Sequence, residues 1–206
     1  MQPATGGPDD PVSGRRRAVA LAGHLGDIPR ARQALEDESS SVRSTGLGAL
    51  DRLDALHDEE VTAALSDPSP AVRRRAAELA ARRPGVEIGL LLEDDDPGVV
   101  EMTAWALGER RDPTATAALA DLARVHGGHE DPLCREAAVA ALGAIGDPAG
   151  LPAVIAALDD KPAVRRRAAV SLAAFSGAEA DQALRRCLAD RDWQVRQVAE
   201  DLLDDG

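Results

Sequence analysis

ALGAIGDPAGLPAVIAALDDKPAVRRRAAVSLA, from Ala141 to Ala173, contains a short apolar segment, an acidic turn and a second segment that opens on Pro162-Ala-Val-Arg. Its second half recurs along the chain. DPSPAVRRRAAELA from Asp67, DRDWQVRQVAEDLL from Asp190 and DESSSVRSTGLGAL from Asp37 share an acidic residue, a turn, Val-Arg and a terminal Leu or Ala. With the Val as anchor, equivalent positions are Gly14, Val42, Val72, Val99, Cys134, Val164 and Val195, spaced 27 to 35 residues apart. A period of a few tens of residues marks stacked supersecondary units, each of which buries its apolar face against its neighbours.

After the first, each unit carries an upstream apolar segment, ending at Leu35, Leu65, Leu92, Leu122, Leu158 and Leu188, and each is followed by an acidic turn. In the second segment the anchor and the residues four, seven and eight later are apolar or small, as in Val72, Ala76, Leu79 and Ala80. That spacing makes a stripe along one side of a 3.6-residue helix. Pro68, Pro70, Pro97, Pro132 and Pro162 fall between the segments, where a missing N–H ends one helix and a fixed φ starts the next. The spacing predicts an all-α chain of about seven helical hairpins over residues 14–206, behind a disordered N-terminal tail at residues 1–13.

The repeat resembles the HEAT family, most closely the short bacterial HEAT-like repeats also found in bilin lyases. The resemblance covers about residues 14 to 203 and implies a right-handed α-solenoid. It also implies a ladder, in which a turn Asp and an Arg at the start of the second helix tie unit to unit. The positions that match are Asp37 and Arg43, Asp67 and Arg73, Asp159 and Arg165, and Asp190 and Arg196, each pair six residues apart. The ladder is expected to lapse at Asp94, where Val100 replaces the Arg, and at the fifth unit, where Arg135 stands but the spacing is lengthened.

Composition agrees with helix. The hydrophobic fraction is 44% but the aromatic fraction only 1%, so the core is expected to be Ala, Leu and Val. A net charge of -12 opposes approach to nucleic-acid phosphate, and no nucleic-acid partner is expected. The opening MQPATGGPDDPVSG lacks the basic and apolar regions of a signal peptide, and no later stretch is apolar enough to span a bilayer, so a soluble cytoplasmic protein is expected. Cys134 and Cys187 lie far apart within helical patterns and form no disulfide framework. The segment His126-Gly-Gly-His129-Glu130-Asp131, followed by Cys134, collects ligand-type side chains. Cys134 sits at the anchor and should point into the core, so neither a metal nor any other cofactor is expected.

Trp105 stands out. It lies six residues after Val99, which places it nearly opposite the core stripe, on the side that lines the concave surface in a HEAT array. The equivalent residues are Gly48, Glu78, Ala140 and Val170, all smaller than Trp, and Glu101 and Glu109 lie one turn to either side. Trp193, in the last turn, is expected to cover the end of the core. A partner-binding ridge of Arg74, Glu78, Glu101, Trp105, Glu109 and Glu136 suits a basic or amphipathic segment of a protein or peptide. The expected function is a non-catalytic interaction scaffold or adaptor. The resemblance implies two alternatives. One is an assembly factor or bilin-lyase-like subunit. The other is a HEAT-like DNA glycosylase, which Trp105 with Glu109 matches loosely; that branch uses Asp and a basic groove.

Overall fold

Four Asp-Pro pairs show how the chain starts its helical segments. The carboxylates of Asp96, Asp112, Asp131 and Asp147 each accept the backbone N–H two residues on, and the Pro that follows occupies a position where no N–H is needed. The computed structural model describes residues 11–204, and over them the secondary structure is helical. The α-helices are α1 (Pro11–Leu25), α2 (Ile28–Gln33), α3 (Ser40–Arg52), α4 (Asp58–Ala64), α5 (Pro70–Ala80), α6 (Pro97–Arg110), α7 (Thr116–Leu122), α8 (Pro132–Ile145), α9 (Leu151–Ala156), α10 (Pro162–Ser171), α11 (Ala178–Cys187) and α12 (Trp193–Asp204).

These residues form two compact units, the first ending at Glu87 and the second beginning at Ile88. In the first, the second helices α1, α3 and α5 pack side by side, with α2 against α1 and α3 and α4 against α5. In the second, α6, α8, α10 and α12 form the corresponding row, and α7, α9 and α11 cover one side of it. Each first helix is short, six to ten residues, because each apolar run is short. Such helices are marginal alone and are held by packing.

The expected tail is partly helix. Pro11 opens α1, so residues 11–13 belong to the fold, while residues 1–10 lie outside the described residues. The first helix expected before Leu92 is a five-residue 3-10 segment, Gly89–Glu93. Its apolar run is bounded by Gly89 and by Glu93-Asp-Asp-Asp96, too short to repay a helical nucleus. Leu92 is buried there and Leu90 is 90% exposed. Six of the seven anchors are buried, from Val42 to Val195; Gly14, without a side chain, is exposed.

One packing register escaped the sequence reading. A Cβ added to Gly23 would lie 2.9 Å from the Ala49 Cα, one on Gly108 2.9 Å from the Ala141 Cα, and one on Gly143 2.7 Å from the Ser171 Cβ. Each glycine stands nine residues after its anchor, and each partner seven after the next. Neighbouring second helices therefore touch almost backbone to backbone at these points. Ser171 uses the contact to donate its hydroxyl to the Val139 carbonyl at 3.0 Å.

Candidate functional site

The turn aspartates and the arginines form a ladder whose wiring differs from the six-residue pairing. Arg43 sends Nε and Nη2 to the Asp67 carboxylate of the next turn at 2.8 and 2.7 Å, while its Nη1 donates to the Asp37 carbonyl of its own turn at 2.8 Å. The spacing of six is thus a bond to the backbone. Arg15 forks onto Asp37 and Arg165 onto Asp190 in the same way. Arg73 and Arg196 each reach the carbonyl six residues back, on Asp67 and Asp190. Planar bidentate pairing of this kind suits guanidinium and carboxylate.

Two expectations need correction here. The rung of the sixth repeat is Asp160, not Asp159. Asp160 begins one residue closer to its anchor, turns inward after the 3-10 segment Ala157–Asp159, and takes Arg135 at 2.7 and 2.8 Å. Asp159 is left outside, 76% exposed, with Arg186 at 3.6 Å. Arg135 therefore makes a rung in spite of the lengthened spacing, and with side chains 8% and 2% exposed the pair is more buried than the Arg15–Asp37 and Arg43–Asp67 rungs. The lapse lies one step earlier. Where a rung would join α6 to the following turn, both members are changed, Val100 for the Arg and His129 for the Asp. His129 keeps the turn by accepting the Asp131 N–H on Nδ1 at 3.0 Å, and Val100 is fully buried.

Ladder carboxyls sit below the ordinary aspartate range. At Asp67 and Asp160 burial pushes the other way and is outweighed by the arginine fork and a turn N–H. At Asp37 and Asp190 the arginine bond is the largest influence. Groups that ionise more readily folded than unfolded stabilise fully above the unfolded value, near pH 4, and lose that stabilisation as pH falls through the folded values. Melting temperature is therefore expected to hold between pH 7 and 5 and to drop steeply below about pH 4. Equal melting at pH 5 and pH 3 would show that the rungs contribute nothing.

On the open face of the second helices, opposite the first helices, the candidate residues divide between the two units. Arg74 and Glu78 lie on α5 in the first; Arg74 is exposed, and Glu78 accepts Arg75 at 2.7 Å. Glu101, Trp105 and Glu109 lie on α6 in the second, all exposed, with Trp105 at 44%. Glu136 on α8 is held by Arg167 of α10 at 3.4 Å. The register of Trp105 continues through half-buried Ala140 on α8 to Val170 on α10, which is 47% exposed. Val170 stands at the register the spacing assigns to it, and its exposure adds an apolar side chain to the row.

Trp193 does not cover the core. It is 63% exposed at the first turn of α12, in the place that four other repeats give to Pro. Both cysteines are free and buried, and burial is the main cause that pushes each thiol up to about 11. Cys134 also donates to the Pro97 carbonyl at 3.3 Å. At pH 8 roughly one thiol in a thousand is ionised at that value. Maleimide at pH 7 to 8 is expected to leave both unmodified in the native protein and to label both in denaturant, read by mass. Rapid native labelling would place the thiols at the surface. Among the described residues no group of three or more His, Cys, Asp and Glu side chains is arranged to hold a metal ion, and no helix is long and apolar enough to cross a membrane.

A family model described as HEAT repeats matches residues 59–127 and 126–204. The chain is similar in structure to YibA of Escherichia coli, at 16% identity and a TM-score of 0.62, over 98% of this chain and 77% of that one. It is similar to a chain of the CpcE–CpcF complex of phycocyanin lyase from Nostoc sp. PCC7120, at 24% identity and a TM-score of 0.60, over 98% and 79%. An engineered protein superposes with a TM-score of 0.62 at 20% identity, over 86% and 97%. At such identities the likeness is of fold. No curated protein matches the sequence.

Proposed function

The chain belongs to the HEAT-repeat family, and from that premise we propose that it is a non-catalytic interaction scaffold. It takes a basic or amphipathic segment of a partner protein or peptide on the open face of its second helices. The observation that supports this reading is Trp105. A Trp 44% exposed on a helix whose other side is closely packed leaves a large apolar surface open to water. Glu101 and Glu109, one turn to either side, are exposed and give the ring a negative surround. A Lys or Arg over the ring would meet the π face and two carboxylates together.

The test is affinity purification with the wild type and Trp105→Ala, followed by affinity and melting temperature on the captured partner and each variant. Trp105→Ala is expected to weaken binding by on the order of 2 kcal/mol or more while the melting temperature changes little, because the ring is half in water already. Glu101→Lys and Glu109→Lys are each expected to weaken it too, most at low salt, where charges act over longer range. Unchanged affinity in all three variants would remove this face from the partner's contact.

A further inference from the structure

The open face of the first unit is built differently from the surround of Trp105. Where α1, α3 and α5 lie side by side, Ala20, Ser44, Gly48, Ala49, Arg52 and Arg75 line a hollow. Its floor is Ala20, Gly48 and Ala49, side chains of one carbon or none. Gly48 stands at the register that holds Trp105 in the second unit, and its bareness has a use. A Cβ there would lie 2.6 Å from Nη2 of Arg75, so the missing side chain is what lets the Arg75 guanidinium lie across α3. Glu78 holds Arg75 from the far side at 2.7 Å. Arg52 enters from the end of α3, its Nη1 lying 3.2 Å from where a Cβ on Gly23 would stand.

The charge around this hollow is not what the composition would place there. Residues 1–87 carry twelve Arg against fourteen Asp and Glu, yet the carboxylates gather at the turns and in the ladder. Arg16 and Arg17, one turn before Ala20 on α1, and Arg74, beside Arg75 on α5, are exposed at the open-face registers. Neither these three nor Arg52 has an ion-pair partner among the described residues. Glu78, already engaged by Arg75, is the one carboxylate at those registers of α1, α3 and α5.

We propose that this hollow is an oxyanion site that receives a phosphate monoester borne on a side chain of a partner protein. Two guanidiniums with a hydroxyl, Ser44, beside them form a donor set for a compact dianion, and charge-assisted bonds to phosphate are the strong kind. The small floor admits one group entering end-on. A phosphodiester would have to run its backbone through the hollow, and a long polyanion would meet the field of a chain of net charge -12. The site shares no residue with the surround of Trp105, and either reading stands if the other fails.

The test uses the full chain and four probes. These are inorganic phosphate, a phosphoserine peptide, the same peptide unphosphorylated, and a short single-stranded oligonucleotide. Phosphate is expected to shift the amide resonances of Ala20, Gly48 and Ala49 saturably, where sodium chloride of equal ionic strength does not. The phosphoserine peptide is expected to bind at least about tenfold more tightly than its unphosphorylated form. Arg52→Ala should weaken phosphate binding about tenfold by removing a donor, and Gly48→Val should do so by filling the hollow with no change of charge. Arg52→Gln, close in length and neutral, serves if Gly48→Val melts early, and Trp105→Ala should leave phosphate binding unaltered. The proposal is overturned by phosphate shifts no larger than those of chloride. It is equally overturned if Gly48→Val and Arg52→Gln both bind as the wild type does, or if the oligonucleotide binds more tightly than the phosphopeptide.

Discussion

Arg135→Ala is expected to destabilise the protein by about 3 to 5 kcal/mol, well beyond the loss from a half-exposed rung. The Arg135 side chain is 8% exposed and that of Asp160 2%. Four bonds leave with the guanidinium: two to the Asp160 carboxylate at 2.7 and 2.8 Å, and two to the carbonyls of His129 and Glu130 at 2.7 and 3.0 Å. What remains is a carboxylate away from water with the Lys161 N–H at 2.6 Å as its surviving bond. Breaking a buried pair from one side costs more than the pair contributes, since the abandoned charge has lost its solvent as well as its partner. For a chain of this length such a loss lowers the melting temperature by roughly 10 °C. Arg15, whose side chain is 37% exposed, makes a similar fork to Asp37, and Arg15→Ala should lower melting far less because water replaces the guanidinium. Calorimetry on both variants checks the ordering, and equal melting would mean that burial does not set the strength of a rung.

Gly108→Leu is expected to cost about 3 kcal/mol or more through overpacking between α6 and α8. The obstacle is backbone. A Cβ at Gly108 would stand 2.9 Å from the Ala141 Cα and 3.1 Å from its Cβ, so no change of rotamer relieves the clash and the helices must separate. Separation would also loosen the buried side chains around it, Ala104, Leu107, Ala138 and Leu142. Gly89→Ala is the control, because a Cβ there meets nothing within 4 Å. Denaturant melts should show a large loss for the first substitution and almost none for the second. A Gly108→Leu protein as stable as the wild type would show that α6 and α8 do not lie so close.

The hairpins could be read from the sequence alone because each depends on neighbours within a few residues. The stripe through Val72, Ala76, Leu79 and Ala80 defines one side of a helix by spacing, and Pro and Asp mark its start by what their backbones permit. Recurrence of Val-Arg after an acidic turn was enough to find Arg43, Arg73, Arg165 and Arg196, whereas Arg15, after Gly14, and Arg135, after Cys134, make rungs without that signature. Which carboxylate each Arg takes was not legible, since the six-residue spacing describes a bond to a carbonyl and the fork goes to the next turn. Asp160 replaced Asp159 for a like reason, a one-residue difference in how a short 3-10 segment ends. Val100 read as a lapse of the ladder and His129 as one of several ligand-type side chains until stacking placed them on one missing rung.

The open face shows the same division. The register placed both Trp105 and Val170, but how far each stands in water was not legible, and the exposure of Trp193 depended on what does not pack over it. Gly48 and Arg75 carried no signal as a pair, being 27 residues apart in the chain. Local periodicity determined the helices, except the one expected before Leu92, together with their order and the repeat that makes this a HEAT protein. Tertiary structure decided which side chains meet between neighbouring helices, because that depends on the distance of approach. In this protein glycine, alanine and serine at the crossing points set that distance.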